Sequence, residues 1–412
     1  MKTRFTLTAM AIAALASQAA SAAVTAPLQA FNFGSPQGVG FYTVGSGQAT
    51  WATPYGNWLP TQLGNRVAAA ATTNFAIPTT VPAGVGYLGT DNHLHLVTSS
   101  ALGVGAVDTD LTAISTGGTP ATGIPAAPGS PLVSVAAYAS KQAFFYLANN
   151  HIIQVSNYNG IWPTADLTAN IPGAVPAAAN SSLTALTLDG TNPEVYYIDV
   201  NSHVDELAVS GGIWRWRDIT AASGAQPAYG ASPITSLVLN PSKERVYFVD
   251  ASSHIRELGG SGPTGAWETT DVSGNNPVSS PGGSLTSFVI NGNAFRIYYE
   301  DNNDHVRELQ WSGGWSTNDL TTTTRSVSAT PGSALSAATN NGTNGVFFVG
   351  TDGHVHDLYG SGNSWNTVDT VTGAVGGTGG TGGGGGGCGS NPNVKQASTM
   401  SASPQQVACI PR

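Results

Sequence analysis

Three observations predict an all-β fold, a β-propeller of seven four-stranded blades. A unit of about 50 residues recurs, its turn histidines His93, His151, His203, His254, His305 and His354 lying 58, 52, 51, 51 and 49 residues apart, and a fixed period of that size marks a repeat architecture. Each unit holds short apolar, β-branched and aromatic runs separated by Gly, Asn and Ser clusters. The composition, with 52 Gly, 24 Pro and only 9% charged residues, suits short strands and tight turns better than helices.

Met1 to Ala22 carries Lys2 and Arg4, an apolar run from Ala9 through Ala16, and Ala20-Ser21-Ala22 as a small-residue cleavage site. That pattern predicts a secretory signal peptide, so the mature chain is expected to start at Ala23 and to be secreted, extracellular or periplasmic. No later stretch reaches the roughly 18 continuous apolar residues of a membrane-spanning helix, and none is expected.

The propeller is expected over residues 23 to 372. Its first copy is read from Leu28-Gln-Ala-Phe-Asn-Phe33 and Gly40-Phe-Tyr-Thr-Val44, with Gln48 in the histidine position and Trp58 beyond it. The first strands of the later copies start at Asn74, Pro131, Ser182, Pro233, Ser284 and Ala334. Second strands such as FFYLA from Phe144, VYYID from Val195, VYFVD from Val246, IYYED from Ile297 and VFFVG from Val346 are apolar on both faces. A strand of that kind is packed on both sides, as blades arranged around an axis require. Six blades with an N-terminal extension is the alternative count. In a closed ring the strand near Leu28 to Phe33 should pack against the last copy.

Residues 373 to 387 read as a flexible Gly-rich linker, and 388 to 412 as a tail too short for a core of its own. Cys388 and Cys409 are the two cysteines of the chain, and in an exported protein they are expected to form one disulfide. They are too few for a structural zinc site.

The formal charge is −9 with 14 Lys plus Arg, which leaves no basic patch for phosphates, so nucleic acid and anionic lipid are excluded as partners. One histidine per repeat invites a metal reading, but equivalent positions in a ring stand far apart, whereas a metal needs its ligands at one point. Each turn histidine is expected to bond locally to backbone. His93/His95 and His354/His356, as i, i+2 pairs on one strand face, are a weak metal signal; no metal and no cofactor are expected. Asp166, Asp218, Asp271, Asp319 and Asp369, each four residues after a Trp, read as turn residues accepting backbone N–H bonds. There is no nucleophile elbow, phosphate loop or dinucleotide fingerprint, and no carboxylate pair is predicted close enough for glycoside cleavage. The chain is not expected to be an enzyme.

One position pair varies while the scaffold repeats: nine residues before and three after the turn histidine. It is Arg245/Glu257 and Arg296/Glu308 in copies five and six, Glu194/Glu206 in copy four, Gln142/Gln154 in copy three, Gly345/Asp357 in copy seven, and Val39/Trp51 and Gly84/Leu96 in copies one and two. With a turn centred near Asn302, Arg296 and Glu308 should sit opposite each other on the central hairpin. One reading is an ion pair holding each hairpin. The other is a sugar site, in which a guanidinium donates to adjacent hydroxyls, a carboxylate accepts from others, and an aromatic face covers the apolar side of the ring.

The run Arg296-Ile-Tyr-Tyr, then Arg-Glu308-Leu-Gln-Trp311 and Gly-Gly-Trp315, resembles the repeat of the fucose-binding β-propeller lectins of fungi and soil bacteria. The resemblance implies a six-bladed fold in which each blade supplies an Arg and a Glu and the next blade supplies stacking aromatics. Carried onto this chain, it implies one carbohydrate-binding site of Arg245, Glu257, Trp311 and Trp315 and a second of Arg296, Glu308, Tyr359 and Trp365. The resulting expectation is a calcium-independent lectin for fucose or a related neutral sugar, whose partners are glycans and whose adhesion is raised by several sites or by a homo-oligomer. The alternative from another class is a propeller scaffold for protein–protein or cell-envelope interaction, with structural Arg/Glu pairs.

Overall fold

The computed structural model describes residues 25–32, 39–45, 48–52, 61–62, 67–70, 75–76, 84–98, 107–115, 122–137, 141–230, 232–274, 283–291, 294–340, 343–361, 364–370 and 375–377. The signal-peptide stretch, both cysteines and Trp58 lie outside them.

Among the described residues every strand pairing is antiparallel, and the strands gather into seven sheets in chain order. The first holds Thr25–Asn32, Val39–Gly45, Gln48–Ala52 and Thr61–Gln62, and the second Gly84–Leu88, Leu94–Thr98 and Val107–Asp110. The third runs from Leu132–Ala137 through Lys141–Ala148 and His151–Ser156 to Thr164–Asp166, and the fourth from Leu183–Thr187 through Pro193–Ile198 and Val204–Ser210 to Ile213–Asp218. Ile234–Asn240, Lys243–Val249, Ile255–Gly260 and Trp267–Asp271 make the fifth; Leu285–Asn291, Ala294–Glu300, Val306–Trp311 and Trp315–Asp319 make the sixth. The seventh holds Ser336–Asn340, Thr343–Val349, Val355–Ser361, Ser364–Asp369 and Val375–Gly377.

The first strands of sheets three to seven pack on one another in succession, and the first strand of sheet one packs on that of sheet seven. Leu28 is buried there with Phe347, Val349, Val355 and Val368, so the N-terminal strand lies against the last copy. This is a β-propeller. The expected count of seven four-stranded blades is corrected: six sheets have four or more strands, and the second has three. Of the run read from Asn74 as that copy's first strand, the described residues Phe75 and Ala76 contribute the bridge Ala76↔Gly86, and the rest lies outside the described residues. At the other end Val375–Gly377 adds a fifth strand to the last sheet, within the run read as linker.

The core lies between sheets. Side chains alternate along each central strand, so Val246, Phe248 and Leu258 pack against sheet four, while Tyr247, Val249 and Ile255 pack against sheet six. That two-sided burial is what the apolar second strands specified.

The histidines and aspartates that recur once per copy turn out to be one device. His Nδ1 meets Asp Oδ2 at 2.8 Å for His93–Asp110 and His151–Asp166, 2.6 Å for His203–Asp218 and His254–Asp271, and 2.9 Å for His305–Asp319 and His354–Asp369. The expected histidine bond to backbone is therefore corrected to a bond to this carboxylate. The other carboxylate oxygen caps the turn that follows: Asp110, Asp166, Asp218 and Asp319 accept from the backbone N–H of Ala113, Ala169, Ala221 and Thr322, satisfying an otherwise orphaned helix-start donor. The short helices Leu111–Ile114, Leu167–Asn170, Ile219–Ser223 and Leu320–Thr324 begin there.

Candidate functional site between the fifth and sixth sheets

Arg245 and Tyr247 lie two apart on one strand and Glu257 lies on the next, all on the face turned toward sheet six. The register pairs Tyr247 with Glu257 and Arg245 with Gly259, and pairs Tyr298 with Glu308 and Arg296 with Gln310. Arg and Glu are thus diagonal neighbours rather than directly opposite, as the sequence had placed them, because the turn is centred one residue later. The diagonal still lies within reach of long side chains. Arg245 Nε stands 3.2 Å from Glu257 Oε1, and Tyr247 donates its hydroxyl to Glu257 Oε2 at 2.7 Å. Arg245 also donates to the carbonyl of Glu244 at 2.8 Å, so these bonds use two of the five guanidinium N–H groups. Burial pushes the Glu257 carboxyl above its usual range, and Tyr247 and Arg245 oppose that rise.

Sheet six supplies the wall. Trp315 meets Tyr247 edge-on at 6.4 Å, and Trp311 stands 5.5 Å from Trp315 and stacks on Phe295 at 6.2 Å. Arg245, Glu257, Trp311 and Trp315 all keep part of their surface open to solvent. The gap therefore offers, side by side, hydrogen-bond donors, a carboxylate acceptor and two indole edges or faces.

The edge-on Trp is common to several gaps: Trp214 meets Phe145, Trp267 meets Tyr196 and Trp365 meets Tyr298, each at 6.1 Å. What distinguishes the Arg245 gap is Trp311. The residue paired across to the repeat Trp is Val209 in sheet four, Gly260 in sheet five and Gly360 in sheet seven.

The second predicted site is assembled only in part. Arg296 Nε stands 3.1 Å from Glu308 Oε1 and Tyr298 donates to Glu308 at 3.2 Å, repeating the first site. Here, however, Arg296, Glu308 and Trp365 are 8%, 1% and 0% exposed, and burial pushes Glu308 up to about 7. Tyr359 does not join them. It packs beside Leu28 on the opposite face of sheet seven, because Gly360 and not Tyr359 pairs with Trp365; a shift of one residue moves a side chain to the other face. At Gly360 a side chain would strike the Ser364 carbonyl at 2.1 Å, so no second Trp can stand where Trp311 does.

The altered copies lack the constellation. Glu194, Glu206 and Glu244 converge between sheets four and five with carboxylate oxygens within 4.8 Å of one another. Tyr196 donates to Glu194 at 2.8 Å and to Glu206 at 3.3 Å. Burial pushes Glu194 up to about 8 and raises Glu206 and Glu244 above their usual range, so at neutral pH Glu194 is held largely protonated. In copy three, Ala143 rather than Gln142 shares a face with Phe145, and the two-residue turn Asn149-Asn150 explains the offset. Asp357 in sheet seven keeps a buried Oδ1 with no hydrogen-bond partner, since Gly345 and Phe347 stand where sheet six has Arg296 and Tyr298. Sequence reasoning missed the tyrosine that orients each carboxylate; its signal is the aromatic two residues after Arg245 and Arg296.

The sequence profile of the fungal fucose-specific lectins matches residues 132–381, a span that contains both Arg/Glu pairs and every aromatic named beside them. The chain belongs to the fungal fucose-specific lectin family. Similar folds occur in the fucose-specific lectin from Aleuria aurantia, 18% identical over 75% of this lectin-family chain and 97% of that one, with a TM-score of 0.52. A further structure of that lectin, 19% identical over 74% and 96% of the two chains at a TM-score of 0.52, is described as a six-bladed β-propeller with a novel fucose recognition mode. A lectin from Burkholderia pseudomallei is 17% identical over 85% of this chain and 97% of its own, with a TM-score of 0.56. Among curated proteins none matches this family member by sequence.

Proposed function

We propose that this chain is a non-enzymatic, exported lectin that binds fucose or a related neutral sugar between its fifth and sixth sheets without calcium. The observation that carries the reading is the partly open gap in which the Arg245–Glu257 pair, fixed by Tyr247, lies beside Trp311 and Trp315. A sugar entering there receives guanidinium N–H bonds, donates hydroxyl protons to the carboxylate, and lays its apolar C–H face on indole. Charge-assisted bonds contribute about 1.5–3 kcal/mol each, and the covered apolar area adds about 25 cal/mol per Å². Ordering costs reduce that sum to modest single-site affinity, so adhesion to glycans is raised by multivalency. The Arg296 gap holds the same pair under a buried Trp365 and is the weaker candidate.

Isothermal titration of the purified chain with L-fucose, D-galactose and D-glucose, with and without added calcium, tests the reading. Saturable fucose binding that is indifferent to calcium supports it; no heat with any sugar turns the assignment toward a scaffold. Export is tested separately, by finding the chain outside the cytoplasm with Ala23 as its first residue.

A further inference from the structure

Copies two and seven share a motif that the other copies lack. They read Gly89-Thr-Asp91-Asn-His93-Leu-His95 and Gly350-Thr-Asp352-Gly-His354-Val-His356, where copies five and six read Asp250-Ala-Ser-Ser-His254-Ile-Arg256 and Asp301-Asn-Asn-Asp-His305-Val-Arg307. Three positions have changed together. In copies five and six the arginine lies between two carboxylates: Arg256 stands 2.6 Å from Asp250 and 3.8 Å from Asp271, and Arg307 joins Asp301 and, at 3.3 Å, Asp319. The place is built around a cation. In copies two and seven the guanidinium is gone, an imidazole replaces it, and the turn carboxylate has moved two positions along.

The glycines show that the change is concerted. A side chain at Gly89 would meet Asp91 Oδ1 at 2.3 Å and the His95 ring at 3.1 Å; at Gly350 it would meet Asp352 Oδ1 and the His356 ring, both at 2.8 Å. Aspartate and histidine occupy the volume that the aspartate side chain fills in the other copies.

We propose that each motif, with the aspartate that pairs with its turn histidine, binds one divalent transition-metal ion of the zinc class: Asp91, His95 and Asp110 in sheet two, and Asp352, His354 and Asp369 in sheet seven, each set with its donor atoms within 4.8 Å of one another. His354 Nδ1 is 2.9 Å from Asp369 Oδ2 and 3.9 Å from Asp352 Oδ2, and His356 Nε2 is 3.0 Å from Asp352 Oδ2. In sheet two His93 Nδ1 is 2.8 Å from Asp110 Oδ2 and His95 Nε2 is 3.2 Å from Asp91 Oδ2. Donor atoms of a tetrahedral zinc ion with bonds of about 2.0–2.1 Å stand about 3.3 Å apart, so side chains now within 4.8 Å of one another must draw together by up to about 1.5 Å to hold an ion, with water completing the coordination. Two carboxylates and one neutral imidazole carry a charge of −2, which a divalent ion cancels where copies five and six use arginine.

The outer shell fits as well. His95 is 3% exposed and stacks on Tyr87 at 5.1 Å, and its Nδ1 lies 3.1 Å from Asp108, which also accepts the Tyr87 hydroxyl at 2.7 Å. A histidine giving Nδ1–H to a carboxylate presents the lone pair of Nε2, as metal-ligating histidines do. Imidazole with carboxylate selects a zinc-class ion over calcium, which takes oxygen ligands. At these two places the proposal departs from the sequence expectation of no metal.

The experiment is titration of the untagged full chain with zinc chloride by calorimetry at neutral pH, with calcium chloride as control. The expected result is two zinc ions per chain, one in Asp352→Asn, and affinity at least tenfold lower at both places in Asp91→Asn/Asp352→Asn, with far-ultraviolet circular dichroism unchanged. A measurement that needs no variant is the visible spectrum of the wild type loaded with cobalt(II), expected to show the bands of a four-coordinate nitrogen–oxygen site. No saturable zinc binding at millimolar concentration, octahedral cobalt bands alone, or binding unaffected in a folded double variant would overturn the proposal.

Discussion

Replacing Glu194 by glutamine should stabilise the protein, and the gain should grow with pH. Glu194 is 1% exposed and converges with Glu206 and Glu244. Burial raises its carboxyl to about 8, from the usual 4.5. In the unfolded chain it ionises near 4.5, so between these values the native state holds a proton that the unfolded state releases, and stability falls as pH rises. The contribution is fully present below about pH 4.5 and is lost progressively up to about pH 8, at about 1.4 kcal/mol per pH unit. From pH 5 to pH 7 this one group costs about 2–3 kcal/mol. Glutamine has no proton to release and can still accept from the Tyr196 hydroxyl. Chemical denaturation of both forms at pH 5, 7 and 8.5 should show curves that nearly coincide at the lowest pH and separate steadily above it. A difference that is constant with pH, or a wild type that gains on the variant as pH rises, would refute the reasoning.

Trp315→Ala should weaken fucose binding by about tenfold while the protein stays folded, whereas Trp365→Ala, removing a 0% exposed side chain, should cost about 3–5 kcal/mol of stability in a thermal melt. Since Glu257 must be ionised to accept from sugar hydroxyls and burial raises its pKa, titrations across pH should show affinity falling on acidification from above the usual carboxylate range; constant affinity down to pH 4 would contradict this. Asp319→Ala removes both the cap on Thr322 and the partner of His305 and should destabilise by about 1–2 kcal/mol with fucose affinity unchanged, read by denaturation and calorimetry together.

The repeat, the strand-rich composition and the two-faced apolar strands were legible because each expresses a local rule that burial enforces: VYFVD can only be a strand packed on both sides. The Arg245, Glu257, Trp311 and Trp315 grouping came instead from the resemblance to the fucose-lectin repeat, since strand alternation alone does not say which aromatic of the next sheet stands beside an arginine. Tyr359 and Gln142 were misplaced by one residue, because hairpin turns differ in length between copies and histidine alignment alone does not fix the register. The His–Asp caps were legible as two separate repeats but not as one bond, since the partners stand 14 to 17 residues apart, on different strands. Exposure was not legible: Arg245 and Arg296 are followed by the similar runs Val-Tyr-Phe and Ile-Tyr-Tyr, and packing distinguishes the open gap from the closed one.

The account's central claim is that the gap beside Arg245 is where sugar binds, and calorimetric titration of L-fucose into the wild type, Arg245→Ala and Arg296→Ala measures it most directly. Loss of one or two charge-assisted bonds of about 1.5–3 kcal/mol each predicts at least a tenfold loss of affinity for Arg245→Ala, with most of the wild-type binding retained in Arg296→Ala. Full-strength binding by a folded Arg245→Ala protein would contradict it.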